Sequence, residues 1–155
     1  MQSARALLTG ILALGYELES MVCVARRVHP MMAMGKRIMV VDDNAAVRRA
    51  LRTLLENQDD WKVDAEAVNG RDAVDKAQRF HPDLIVLDLS MPVMNGLQAA
   101  RVLHSLMPSV PMILCSLHID DILQNQAAAF GIQAVVSKAQ NMQVLVKKAE
   151  ELLTT

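Results

Sequence analysis

Residues 84–96 read Leu-Ile-Val-Leu-Asp-Leu-Ser-Met-Pro-Val-Met-Asn-Gly. The first four are aliphatic without alternation, which marks a short strand covered on both faces, as in a parallel sheet. The run ends on a carboxylate, Asp88, and Pro92 and Gly96 bracket a sharply turning loop behind it.

The same unit recurs along the chain. Residues 38–41 lead into Asp42 and Asp43, residues 112–115 into Ser116, and residues 134–136 into Ser137 and Lys138. Residues 61–67 differ, because Trp61, Val63, Ala65 and Ala67 alternate with Lys62, Asp64 and Glu66. Strict alternation predicts one wet face, as at the edge of a sheet. Between these runs lie helical stripes. Val47, Ala50, Leu51, Leu54 and Leu55 form the first, with Asn44 as its N-cap. Others run through Ala73, Val74, Ala77 and Phe80, through Leu97, Ala100 and Leu103, through Ile122, Leu123, Ala127 and Phe130, and through Met142, Leu145, Ala149 and Leu152. Gly70 and Gly131 mark a helix start and a helix end. Five strands alternating with five helices predict an α/β domain with a parallel sheet and right-handed crossovers. Ligands bind such sheets beyond the carboxyl ends of the strands.

Composition supports a packed domain. The chain has 155 residues, 52% hydrophobic but only 3% aromatic, so the core is aliphatic and filled with methionine. Sixteen Lys and Arg against 17 Asp and Glu give a net charge of −1, which offers no field for nucleic acid. Cys23 and Cys115 stand far apart without metal-ligand spacing, which argues for a reducing compartment, the cytoplasm, and against a zinc site or a disulfide scaffold. Cys115 closes an apolar run and reads as a small core residue.

Residues 1–35 carry none of these patterns and are expected to be an N-terminal extension, either helical or translated from an early start; residues 36–155 form the domain. The uncharged stretch 6–16 is far shorter than the roughly 20 residues a membrane-spanning helix needs. The residues after it fit a signal-peptide cleavage site poorly.

Three carboxylates, a hydroxyl and an ammonium thus gather at one edge of the sheet: Asp42, Asp43, Asp88, Ser116 and Lys138. Each alone reads as a turn or cap residue. Together they exceed what capping needs, and three close acids require a cation or a proton among them. Hard oxygen ligands that leave room for water suit Mg²⁺.

The runs Val40-Val41-Asp42-Asp43, Leu87-Asp88-Leu89-Ser90-Met91-Pro92 with Asn95-Gly96, Cys115-Ser116 and Ser137-Lys138 resemble the receiver domain of two-component response regulators. The likeness covers residues 36–153. It implies a doubly wound, flavodoxin-like sheet with strand order 2-1-3-4-5. It implies that Asp88 accepts a phosphoryl group from a sensor histidine kinase or a phosphotransfer protein. Asp43 and Asp88 would ligate Mg²⁺ directly, Asp42 largely through water, and the Ser90 backbone carbonyl would complete the site. Ser116 would hydrogen-bond the phosphoryl group and Lys138 would pair with it. Such a domain assists its own phosphorylation and hydrolysis and is not a turnover enzyme. It hands its state to a downstream effector protein. Homodimers formed through the last helix and strand are common in the family.

Ser116-Leu117-His118, and Phe130-Gly131 ahead of an apolar strand and Lys138, are similar to the NarL/FixJ-like receivers, which usually precede a DNA-binding domain. The chain stops after its last amphipathic helix, so it is either a stand-alone receiver or a fragment, and it is not expected to bind nucleic acid itself.

Two positions depart from the family. Val135 stands where the family carries Tyr or Phe, and a stiff, short β-branched side chain cannot swing between buried and exposed positions. Ala139 follows Lys138 where the family prefers Pro. Both changes favour an alternative in which the fold is a docking or dimerisation module that works without phosphorylation. A Mg²⁺-dependent hydrolase using an aspartyl phosphate is a third reading, opposed by Ser90 where a second acid is required. Ser90 and His118 should flank the phosphoryl site and order or block the attacking water, unless His118 is only a solvated loop residue; His29 in the extension, His81 before Pro82 in a turn and His104 on a helix surface read as structural. Arg48, Arg49 and Arg52 form a basic face, either solvated or meeting the kinase.

Overall fold

A computed structural model describes residues 35–154. The extension expected at residues 1–35 lies, except for Gly35, outside the described residues. The elements alternate strictly: β1 (Lys36–Val41), α1 (Ala45–Glu56), β2 (Trp61–Ala67), α2 (Gly70–Phe80), β3 (Leu84–Asp88), α3 (Gly96–Leu106), β4 (Met112–Ser116), α4 (Asp121–Ala129), β5 (Ala134–Ser137) and α5 (Gln143–Leu153). All strands are parallel, in the order β2-β1-β3-β4-β5. The flavodoxin-like sheet expected from the sequence is therefore the sheet observed.

Each helix begins where the sequence supplies a side-chain acceptor for its free amides. Asn44 accepts from Ala46 and Val47, Asn69 from Asp72, and Asp120 from Leu123. Asn95 and Gln98 form a reciprocal capping box at the start of α3. At α5 the cap lies one residue further out, where Asn141 Oδ1 accepts from the Gln143 N–H at 3.0 Å, and packing of Leu145, Val146 and Ala149 adds to its hold.

The sheet is covered on both faces. Met39, Val41, Ile85, Leu87, Met112 and Leu114 face α2, α3 and α4. Ile38, Val40, Leu84, Val86, Ile113 and Cys115 face α1 and α5. The central strands β3 and β4 are buried along their whole length, as uninterrupted aliphatic runs require. Burying each Leu or Ile contributes roughly 1.5–3 kcal/mol before entropy is counted. Met39 and Met112 fill the aliphatic core as composition demanded.

β2 is the edge strand its alternation implied, with Val63, Ala65 and Ala67 buried between more exposed polar residues. Those apolar residues do not share one face, because the register with β1 slips: Ile38 pairs with Val63 and Met39 with Ala65, leaving Asp64 as an extra residue. A bulge of this kind re-aims the side chains beyond it. Trp61 and Val63 consequently pack with α1 and α5, whereas Ala65 and Ala67 pack with α2 to α4. Two smaller corrections concern stripes: Ala50 and Ile122 are exposed, because α1 and α4 present narrower buried faces than their apolar residues suggested. No described helix is long and apolar enough to cross a membrane.

Candidate functional site

The carboxyl ends of β1, β3, β4 and β5 open into a cleft of about 530 Å³ lined by Asp42, Asp43, Asp88, Ser90, Ser116, His118 and Lys138 among others. The sequence-predicted residues are thus brought together. Asp42 and Asp88 are buried, at 1% and 7% exposure, while Asp43 faces solvent at the rim. Ligand oxygens of the three carboxylates lie within 4.8 Å of one another.

Lys138 joins the two buried acids. Its Nζ donates to Asp42 Oδ2 at 2.6 Å and lies 2.9 Å from Asp88 Oδ1. Its backbone N–H donates to the Ser116 carbonyl at 2.8 Å, which fixes the root of the side chain against β4. Burial pushes the Asp88 carboxyl above the ordinary carboxylate range. The Lys138 ammonium and the Ser90 backbone pull it down, but Asp42 shares that ammonium and adds repulsion. Burial alone would depress the Lys138 ammonium, but the hydrogen bonds it donates to Asp42 and Asp88 hold it above the usual lysine value. The pair does not simply lower the acid and raise the base, because one ammonium serves two carboxylates.

Ser116 is buried, and its hydroxyl donates to the His118 carbonyl at 2.7 Å while accepting from the His118 N–H at 3.3 Å. The imidazole of His118 is exposed, and so is Ser90, both at the cleft rim. Behind Asp88 the chain turns back tightly: Leu89 N donates to Cys115 O at 2.9 Å and Gly96 N to Leu89 O at 2.9 Å. A Cβ on Gly96 would collide with the Asp88 carbonyl, so glycine is what lets α3 start directly under the acid. The Lys138–Ala139 peptide is trans. Val135 is half-buried and packs against the α2–α4 face of the core.

Three features escaped sequence reasoning. Arg48 and Arg52 are not a free basic face: both bond Glu66 on β2, and Arg49 is the one of the three that stays exposed. Arg48 also donates to the Asp42 carbonyl at 2.8 Å. His104 is not simply a surface residue, because its ring lies against Gly131 and its buried Nδ1 has no partner among the described residues. Cys115 is the core residue expected, and burial pushes its thiol up to about 12.

The donor set fits a hard divalent cation: oxygen ligands only, two of them buried, and one facing water. Residues 38–150 match the model of the response regulator receiver domain. The chain belongs to the response regulator receiver family. Among its relatives is the chemotaxis protein CheY of Thermotoga maritima, 36% identical over 106 residues, which are 68% of this chain and 78% of that protein. A protein-glutamate methylesterase/protein-glutamine glutaminase of Methanosarcina mazei is 45% identical over 80 residues, 52% of this chain; the match spans 22% of that protein's length. The signal receiver domain of the response regulator NarL from Mycobacterium tuberculosis superposes with a TM-score of 0.72 at 26% identity, covering 77% of this chain and 97% of that one. As a receiver of two-component signalling, the chain carries its acidic cleft where the fold places ligands.

Proposed function

We propose that this receiver is the phosphoacceptor of a two-component relay, with Asp88 as the acceptor. One arrangement carries the reading: the Asp88 carboxylate sits at the floor of the cleft, 2.9 Å from the Lys138 ammonium and ringed by Asp42 and Asp43. An Asp88 oxygen attacks the phosphorus of a phosphohistidine presented by a sensor kinase or phosphotransfer protein. The O–P bond forms, the N–P bond breaks, and its electron pair leaves on the imidazole, which takes up a proton. Asp43 and Asp88 would hold Mg²⁺, with Asp42 acting largely through water and the Ser90 carbonyl completing the set; a cation held there would supply positive charge against the transferring oxygens. Lys138 keeps a positive charge beside the new group. The Ser116 hydroxyl exchanges the His118 carbonyl for a phosphoryl oxygen, and that exchange pulls on the loop after β4. Ser90 and His118, at the rim, order or block the water that later hydrolyses the acyl phosphate. The domain thereby assists its own modification without being a turnover enzyme, and a downstream protein reads the altered loop.

Val135 supports a second reading, a docking module indifferent to phosphorylation, because the usual aromatic reporter is missing. Beryllofluoride with Mg²⁺ separates the two. On the first reading, amide NMR signals of Asp88, Ser116 and Lys138 shift to a saturating end point, and Asp88→Asn abolishes the shifts. Unchanged spectra for the parent would favour the docking module.

A further inference from the structure

The proposed chemistry leaves the contacts of Arg48 unexplained. Its side chain is only 15% exposed, although it projects from the first turn of a surface helix. Nη1 donates to the Asp42 carbonyl at 2.8 Å and to the Asp43 carbonyl at 3.4 Å, while Nε donates to Glu66 Oε2 at 3.1 Å. Glu66 is held in turn by Arg52, whose Nε reaches Oε1 at 2.8 Å. Arg52 also contacts Glu56 at 3.3 Å, and Glu56 accepts from the Val63 N–H at 3.1 Å beside the bulge. The backbone that carries two of the three clustered acids is therefore gripped from α1 by a guanidinium that a β2 carboxylate orients.

We propose that Arg48, oriented by Glu66, is a positioning residue for the cation site: it fixes the Asp42–Asp43 loop so that those carboxylates meet Asp88 in a pre-set arrangement. This rests on the reading that the three acids bind Mg²⁺. A guanidinium can serve two carbonyls and a carboxylate at once through its planar fork, whereas a lysine brings one point charge. Groups that orient metal ligands from behind typically govern affinity by 10–100-fold. The sign of the effect sets positioning apart from charge. Removing a cation beside three acids would by Coulomb attraction alone tighten Mg²⁺ binding, so weaker binding can only come from lost placement.

The test titrates the full chain with Mg²⁺ in metal-stripped buffer without a phosphodonor, following affinity by calorimetry and folding by thermal melts in chelator. Arg48→Ala should weaken Mg²⁺ binding about tenfold. Arg48→Lys should remain severalfold weaker despite its kept charge, and Glu66→Gln should fall between parent and Arg48→Ala. Affinities within about twofold of the parent, with only the melting temperature lowered, would overturn the proposal and leave Arg48 a fold-stabilising residue. Should Arg48→Ala not fold, Arg48→Lys and Glu66→Gln decide on the same criterion. A parent that binds no Mg²⁺ overturns the cation-site reading along with this one; a parent that binds while the variants match it overturns this one alone.

Discussion

Lys138 and Asp42, separated by 96 positions in the chain, are joined by a 2.6 Å bond across the top of the sheet. The ammonium and a divalent cation draw on the same carboxylates, so each weakens the hold of the other. Lys138→Ala should therefore bind Mg²⁺ more tightly, roughly tenfold for a unit charge at ion-pair distance in partly wet surroundings. It should also melt lower in chelator, since two buried acids lose their counter-charge, and regain more stability than the parent when Mg²⁺ is added. Calorimetry and melts with and without metal check both signs. Equal affinity in parent and variant would mean that the ammonium does not control the site's charge.

Val93 adopts φ 69°, a left-handed conformation that a β-branched residue reaches only under strain, and it is 82% exposed. Such a backbone costs about 1–2 kcal/mol relative to glycine's freedom there. Val93→Gly should accordingly raise stability by about 1 kcal/mol, after the extra entropy glycine loses on folding. Urea unfolding of parent and variant measures the difference, and a loss of stability would show that the valine side chain compensates for its backbone.

Glu66 predicts an acid-sensitive brace. Burial alone would raise its carboxyl, but hydrogen bonds from Arg52 and then Arg48 bring it below the ordinary value of 4.5. A folded-state value lower than the unfolded one contributes stability above pH 4.5 that is lost as pH falls through the folded value. Glu66→Gln should thus be less stable than the parent near neutrality, and the gap should narrow as pH falls below 4.5 and close once the folded-state value is passed. Parallel melting curves at every pH would contradict this.

Much of this was legible because it is local. Aliphatic runs such as 84–87 name the buried strands, and Asn44 names a helix start, since both depend on neighbours in sequence. Gathering of Asp42, Asp88, Ser116 and Lys138 followed from one topological rule, that parallel strands deliver their ends to one edge. The bulge at Asp64 left no trace, because the alternation of residues 61–67 reads the same whether or not the register slips. Arg48 and Arg52 read as a basic face because Glu66, their common partner, lies 18 and 14 residues away. His104 looked superficial because nothing near it in sequence announces the room that Gly131 leaves for its ring.

Everything proposed for the cleft depends on Asp88 taking a phosphoryl group. Incubating the chain with Mg²⁺ and acetyl phosphate, then weighing the intact protein, decides this, with Asp88→Asn alongside. The parent should gain one phosphoryl group, a gain abolished by chelator and absent from Asp88→Asn. No gain in the parent, or an equal gain in Asp88→Asn, would contradict it.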